Sequence, residues 1–219
     1  MTFNIVLNPG FESYASSTDF NNWNEYKSGT STIMTETTII HSGSTSCKIS
    51  VDASNSLCGI STPAGQNMTV IPNTKYRFSI WLQSSTSGQM EIGLMNNTQG
   101  TYLKSDGTWS NVGVITRIQV NTTTNWVQWY IDFTTQNEQT QISIFDLKRT
   151  GSGPSQANRI FYVDDISISP SFINLDETVT LTDSMQYSTI ILRGAGYLYP
   201  GIPKMIIQGE KPVHTLRNP

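Results

Sequence analysis

An all-β chain folded as a jelly-roll or sandwich is what this sequence predicts, and three observations carry the prediction. Apolar and polar residues alternate with period two along most of the chain, and helical periodicity is nearly absent. Short clusters of Gly, Pro, Ser and Asn interrupt that alternation at close spacing, as turns do between the strands of a sandwich. Of the 219 residues 37% are hydrophobic, enough to fill a core, whereas only 13% are charged, so Thr, Ser, Asn and Gln must keep the surface polar.

The elements follow in order from alternation and breakers. Strands are expected at 3–7, 32–40, 45–52, 56–60, 74–84, 89–96, 111–120, 125–135, 140–148 and 159–169. Ser42-Gly43-Ser44 separates the second from the third, and Pro63-Ala64-Gly65 follows the fourth. Pro72-Asn73 precedes the fifth, Ser87-Gly88 divides it from the sixth, and Ser105-Asp106-Gly107 leads towards the seventh. Gly151-Ser152-Gly153-Pro154 separates the last two. Within Lys75–Gln83, Tyr76, Phe78, Ile80 and Leu82 share one face, which must be core. Arg77, Ser79, Trp81 and Gln83 share the other, where a tryptophan among polar groups is unusual. Strands 74–84, 111–120 and 125–135 are expected to be central in a monomeric sandwich, with Phe78, Ile80, Leu82, Val127 and Ile131, or their immediate register partners, buried.

Pro170 marks a boundary, dividing a sandwich over 1–170 from a C-terminal arm over 171–219. The arm alternates at Thr178–Thr182, is apolar at Thr189–Leu192, breaks at Gly194-Ala195-Gly196, and holds four of the nine prolines in its last twenty residues. Its 49 residues are too few to hold a core alone, so its apolar side chains need cover from the sandwich or a partner. An extended arm adding to a neighbour's sheet edge would anchor the chain in a larger assembly.

Several function classes are disfavoured. A net charge of −3 with scattered Lys and Arg argues against nucleic acid, which wants a clustered basic face. No run approaches the about 18 apolar residues of a membrane helix, and the N-terminus has neither a basic leader nor an apolar h-region. Cys47 and Cys58 fit either a cross-strand disulfide or two buried thiols, and no C-x-x-C spacing offers zinc a site. The only histidines, His41 and His214, sit in a turn and in the Pro-rich arm, with no triad beside them. Adjacent residues on a strand point to opposite faces, so Asp164-Asp165 cannot be a facing pair of glycosidase carboxylates. No nucleophile-elbow, phosphate-loop or dinucleotide fingerprint is present. The residues favour binding over catalysis.

Two segments carry a resemblance. The chain opens with Asn8-Pro9-Gly10-Phe11-Glu12, then Trp23 and His41-Ser42-Gly43-Ser44, and the 159–169 strand reads Phe161-Tyr162-Val163-Asp164-Asp165-Ile166-Ser167-Ile168. Over roughly residues 4–170 this resembles the jelly-roll carbohydrate-binding modules of families 4, 9, 16 and 22, the galactose-binding-like sandwiches. The resemblance implies that the opening turn and the last strand lie side by side. It implies a structural calcium ion there, held by the Gly10 carbonyl, Glu12 and Asp164 or Asp165, with a carbonyl from Ser42–Ser46. It also implies that Trp23 and Trp126 are buried and that a polysaccharide or cell-surface glycan is the partner.

Sugar faces stack on aromatic planes while polar side chains fix the hydroxyls. The candidates for that role are Trp81, Gln83, Tyr102, Trp109, Trp129 and Asp146, the last on a strand where similar modules carry a hydroxyl-binding residue. A non-catalytic glycan-binding sandwich displayed on a phage virion surface, docked to other virion proteins through the arm, accommodates the start at Met1 without a signal peptide. The alternative is an accessory module excised from a secreted polysaccharide-degrading enzyme. Both place the chain outside the cell, on a virion or free.

Overall fold

A computed structural model describes residues 4–52, 58–149 and 159–171. Every element among them is a strand, and all pairings are antiparallel. In chain order these are β1 (Tyr14–Ser16), β2 (Asp19–Phe20), β3 (Asn24–Lys27), β4 (Thr32–Glu36), β5 (Ser46–Ser50), β6 (Cys58–Ser61) and β7 (Met68–Thr69). Then come β8 (Lys75–Ser84), β9 (Gly88–Asn96), β10 (Thr101–Tyr102), β11 (Ile118–Thr122), β12 (Val127–Thr134), β13 (Gln141–Arg149) and β14 (Ile160–Pro170). A five-stranded sheet runs β12-β8-β14-β5-β4. A seven-stranded sheet runs β10-β9-β13-β6-β3, with β11 also on β9 and β7 also on β13, and β1-β2 is a small ribbon. The fold is a jelly-roll β-sandwich.

The core lies between the two large sheets. From the five-stranded sheet come Ile33, Ile49, Tyr76, Phe78, Ile80, Leu82, Val163 and Ile168, and from the seven-stranded sheet Ile60, Met90, Ile92, Leu94, Ile144 and Leu147. Each such side chain contributes about 1.5–3 kcal/mol by leaving water. Cys47 and Cys58 are free thiols within this core, and burial pushes both thiols up, that of Cys58 to about 11.

Several expectations need correction. Residues 4–7 form no strand; the Asn4 side chain instead bridges to the last strand, accepting from Ile168 N and donating to Ile166 O, and Ile5 N reaches Ile168 O. The expected strand 111–120 shrinks to Ile118–Thr122, because Gly113 turns with φ 75° and leaves Val112, Val114 and Ile115 exposed. Among the described residues β11 pairs only with β9 and β12 only with β8, so neither is central. Val127 is consequently 43% exposed although it sits across from buried Leu82. Strands β1, β2, β3, β7 and β10 were not expected, since two to four mostly polar residues show no alternation. Residues 172–219, the expected arm, lie outside the described residues.

The Lys104–Trp109 turn covers part of the open edge of β12. The Trp109 indole donates to Thr134 O at 2.8 Å, and Gly107 packs so close to Asp132 O that a Cβ there would lie 2.6 Å from it. The ring stands edge-on to Phe133 at 5.7 Å. Covering an edge in this way blocks pairing with another chain.

Candidate functional site

Three surfaces hold the residues singled out by sequence. At the first, the opening turn, the 41–45 turn and β14 converge, as expected. An ideal Cβ on Gly10 would lie 3.4 Å from Asp165 Oδ1, 3.6 Å from Asp164 Oδ1 and 3.8 Å from Glu12 Cγ. The ladder between β14 and β8 breaks between Asp164 and Ser167, and Asp165 takes φ 45°. That bulge overturns the inference that the two aspartates point oppositely: both turn to residues 41 and 42. Asp164 Oδ2 accepts from the amides of His41 (2.9 Å) and Ser42 (3.2 Å). Asp165 meets the His41 ring at 2.6 Å and the Ser42 hydroxyl at 2.9 Å.

Burial raises the Asp164 carboxyl to about 6, even though amides favour its ionised form. Glu12 shows the opposite balance: slight burial would raise its carboxyl, but bonds from Ser44 and Thr45 hold it below its usual value. These oxygens are thus occupied by hydrogen-bond donors. Among the described residues no three His, Cys, Asp or Glu groups are arranged to hold a metal. Donors from residues 41–45 hold oxygens of all three carboxylates at this junction.

The second surface is the outer side of the five-stranded sheet with its β12 edge. Trp81 lies there, but the His41 ring stacks on it at 3.7 Å and Trp126 stands edge-on to that histidine at 5.8 Å. Trp126 is therefore half-buried rather than buried, whereas Trp23 is buried and donates its indole N–H to Asn8 O at 3.0 Å. Gln83 is tied to Thr124 O at 2.8 Å. Trp109 caps the edge as described, and Trp129 packs against the core near Phe78. Trp109 adjoins Tyr102 through the Leu103–Trp109 bridge, but its ring turns away to Phe133 and Thr134.

The third surface is the outer side of the seven-stranded sheet. A bulge between Ile144 and Asp146 lets Phe145 and Asp146 both leave the core side of β13. Glycines inside the neighbouring strands make room: a Cβ on Gly93 would collide with the Phe145 ring, and one on Gly59 would lie 2.6 Å from the Tyr26 hydroxyl. Tyr102 stands edge-on to Phe145 at 4.9 Å. Beside that ring a groove of about 430 Å³ is lined by Asn24, Ser61, Asn67, Met95, Asn97 and Ser143 among others. Asn97 Oδ1 is buried and accepts no hydrogen bond among the described residues.

On the other side of Phe145 lies a charged cluster. Asp146 accepts from the Tyr26 hydroxyl at 2.7 Å and from Arg117 Nε, while Lys148 Nζ is 3.3 Å from Glu91. Burial, and then the bond to Asp146, hold the Tyr26 phenol above its usual value. The cluster carries two cations and two anions. A flat ring, a polar groove and a set of fixed donors can hold a sugar plane and its hydroxyls. Of the six expected ligand residues, this face gathers Tyr102 and Asp146. Tyr26, Phe145, Arg117 and Asn97 had not been singled out; Gly59 and Gly93 inside strands were the signal for Tyr26 and Phe145, and no local signal marks Arg117 or Asn97.

Known proteins fit this architecture. The TmCBM61 structure in complex with beta-1,4-galactotriose aligns over 77% of this chain and 99% of its own, with a TM-score of 0.52 and 16% identity. The arabinose-bound MgGH51 α-L-arabinofuranosidase aligns with a TM-score of 0.52 and 17% identity over 78% of this chain but only 27% of its own. The enzymatically active domain of tailspike protein 4 from bacteriophage CBA120 gives 0.51 and 14% over 76% of this chain and 21% of its own. Identities this low speak to the fold alone. No curated protein is similar in sequence at a significant level. The sequence model described as "Carbohydrate binding domain" matches residues 3–149, most of the sandwich whose outer face carries the ring, groove and donors above, and the chain belongs to that carbohydrate-binding family.

Proposed function

We propose that the outer face of the seven-stranded sheet binds a polysaccharide or cell-surface glycan, without catalysis. The observation that carries this reading is the Phe145 ring, laid over Gly93 beside Tyr102 and opening onto the groove at Asn97. A sugar stacked on Phe145 would reach the polar side chains of Asn24, Ser61 and Asn67 that line the groove. A relative in fold holds beta-1,4-galactotriose, so galactans, xylans and glucans form the first panel. Affinity electrophoresis against that panel tests the reading. Retardation of the wild type that Phe145→Ala abolishes supports it, and equal mobility in every gel removes it.

We further propose that the sandwich is displayed on a larger assembly at a virion surface. Sandwiches of this fold occur within larger proteins, among them a phage tailspike, which supports display. The similarity to part of an arabinofuranosidase favours a second reading, an accessory module of a secreted polysaccharide-degrading enzyme. Mass spectrometry of purified particles against culture supernatant separates them. Calcium belongs to the proposal only through a rearranged junction, in which Ser44, Thr45 and His41 release carboxylate oxygens of Glu12, Asp164 and Asp165 to the ion beside Gly10.

A further inference from the structure

We propose that Asp146 is a positioning residue and that Arg117, which it holds, is the group that meets the sugar. This rests on the reading of the face as a glycan site. Asp146 is itself a poor contact: one carboxylate oxygen takes the Tyr26 hydroxyl, the other takes Arg117 Nε, and its side chain is only 10% exposed. Arg117 differs on each point. Its side chain is 32% exposed, and its guanidinium carbon lies over the Phe145 ring, 5.3 Å from the ring centre.

A planar guanidinium held over an aromatic ring presents paired N–H donors, the geometry that fits two neighbouring hydroxyl oxygens of a pyranose. Such a side chain loses much rotamer freedom when a ligand fixes it. Arg117 directly follows the exposed 111–116 loop, so without an anchor it would range widely. The bond to Asp146 fixes it beforehand, which is how preorganisation raises affinity. Glu91 Oε2 lies 3.9 Å from the same Nε and 3.3 Å from Lys148, so the local charges balance and the ligand needs none. The ligand class is therefore a neutral pyranose chain carrying vicinal hydroxyls, stacked on Phe145.

The test is a double-mutant cycle on the intact chain, with a soluble neutral polysaccharide retained by the wild type as the probe. Arg117→Ala and Asp146→Asn should each weaken binding about tenfold, equivalent to one lost charge-assisted contact. Asp146→Asn should add nothing in the Arg117→Ala background. Should Asp146→Asn weaken both backgrounds equally, Asp146 touches the sugar itself and the proposal fails. The Arg117 Nε–H resonance gives a readout without ligand: slow exchange in the wild type and fast exchange in Asp146→Asn are expected, and no change overturns the clamp. Binding undiminished in Arg117→Ala overturns this inference alone. No retention of the wild type by any polysaccharide overturns the glycan reading and the role of Arg117 with it.

Discussion

At the scale of single residues, two side chains make the sharpest predictions. Phe145 holds a half-buried ring on the outer side of a strand whose Ile142, Ile144 and Leu147 build the core. Aromatic contacts contribute about 0.5–1.5 kcal/mol beyond burial, so Phe145→Ala should lower glycan affinity by about tenfold. Titration calorimetry measures it, and the melting temperature should move little because the ring is outside the core.

Asp164 makes a prediction about pH. Its folded carboxyl is raised to about 6 from an ordinary 3.8, so folding favours the protonated form. Stability from this group is fully present below about pH 4 and is lost as pH rises through 6. The span is up to about 3 kcal/mol at 1.36 kcal/mol for each pH unit of displacement. Denaturant unfolding of wild type and Asp164→Asn should therefore diverge in slope between pH 4 and 6, the variant being flatter. Parallel curves would show that the amides of His41 and Ser42 offset the burial.

At the scale of elements, bulges and strand glycines shape both functional regions. In β14 the irregularity after Asp164 swings two consecutive aspartates towards one turn. In β13 the irregularity before Asp146 puts an aromatic and a carboxylate side by side on one face. Bulges re-aim side chains in this way at the cost of one unpaired residue. Gly93 is the counterpart in β9, across from Asp146 in the ladder. Gly93→Ala should push the Phe145 ring off the sheet, weakening glycan binding about as much as Phe145→Ala, with overpacking of about 1–3 kcal/mol. Binding and melting measured together check it; retained affinity would mean that the ring re-seats.

The β12 edge supplies a separate expectation. Trp109→Phe keeps the contact with Phe133 but loses the bond to Thr134 O. It should cost about 1 kcal/mol of stability without changing glycan affinity, since the Trp109 ring turns to Phe133 and Thr134 and not to Phe145.

At the scale of the whole molecule, the described sandwich closes on itself. The N-terminal segment reaches the last strand through Ile5 N to Ile168 O, and Ser171 N donates to Lys75 O at 2.8 Å. A chain truncated after Ser171 is expected to fold and to bind glycan like the full chain, read by circular dichroism and affinity electrophoresis. If 172–219 anchors the protein, the truncated form should also fail to join the larger assembly. Chelation addresses the turn junction: hydrogen bonds alone predict an unchanged melting temperature with EDTA, and a fall restored by calcium would establish the rearranged, ion-holding form.

What the sequence determined by itself was the strand content and the buried face. Alternation is a local property, so Tyr76, Phe78, Ile80 and Leu82 declare their side before any partner is known, and all are buried. The family resemblance carried by Gly10-Phe11-Glu12 and Asp164-Asp165 implied the junction they form. What only the tertiary structure decided was which exposed aromatics share a surface. Trp81, Trp109 and Trp129 look as free in the sequence as Tyr102, yet a histidine, an edge carbonyl and the core claim them. Tyr26 and Asp146 stand 120 residues apart and meet because β6 pairs with both β3 and β13. Long-range sheet order is not written in any local pattern, because an outward residue on one strand resembles an outward residue on any other. The sequence therefore specifies what turns inward, and only the packed sheets specify which outward residues stand together.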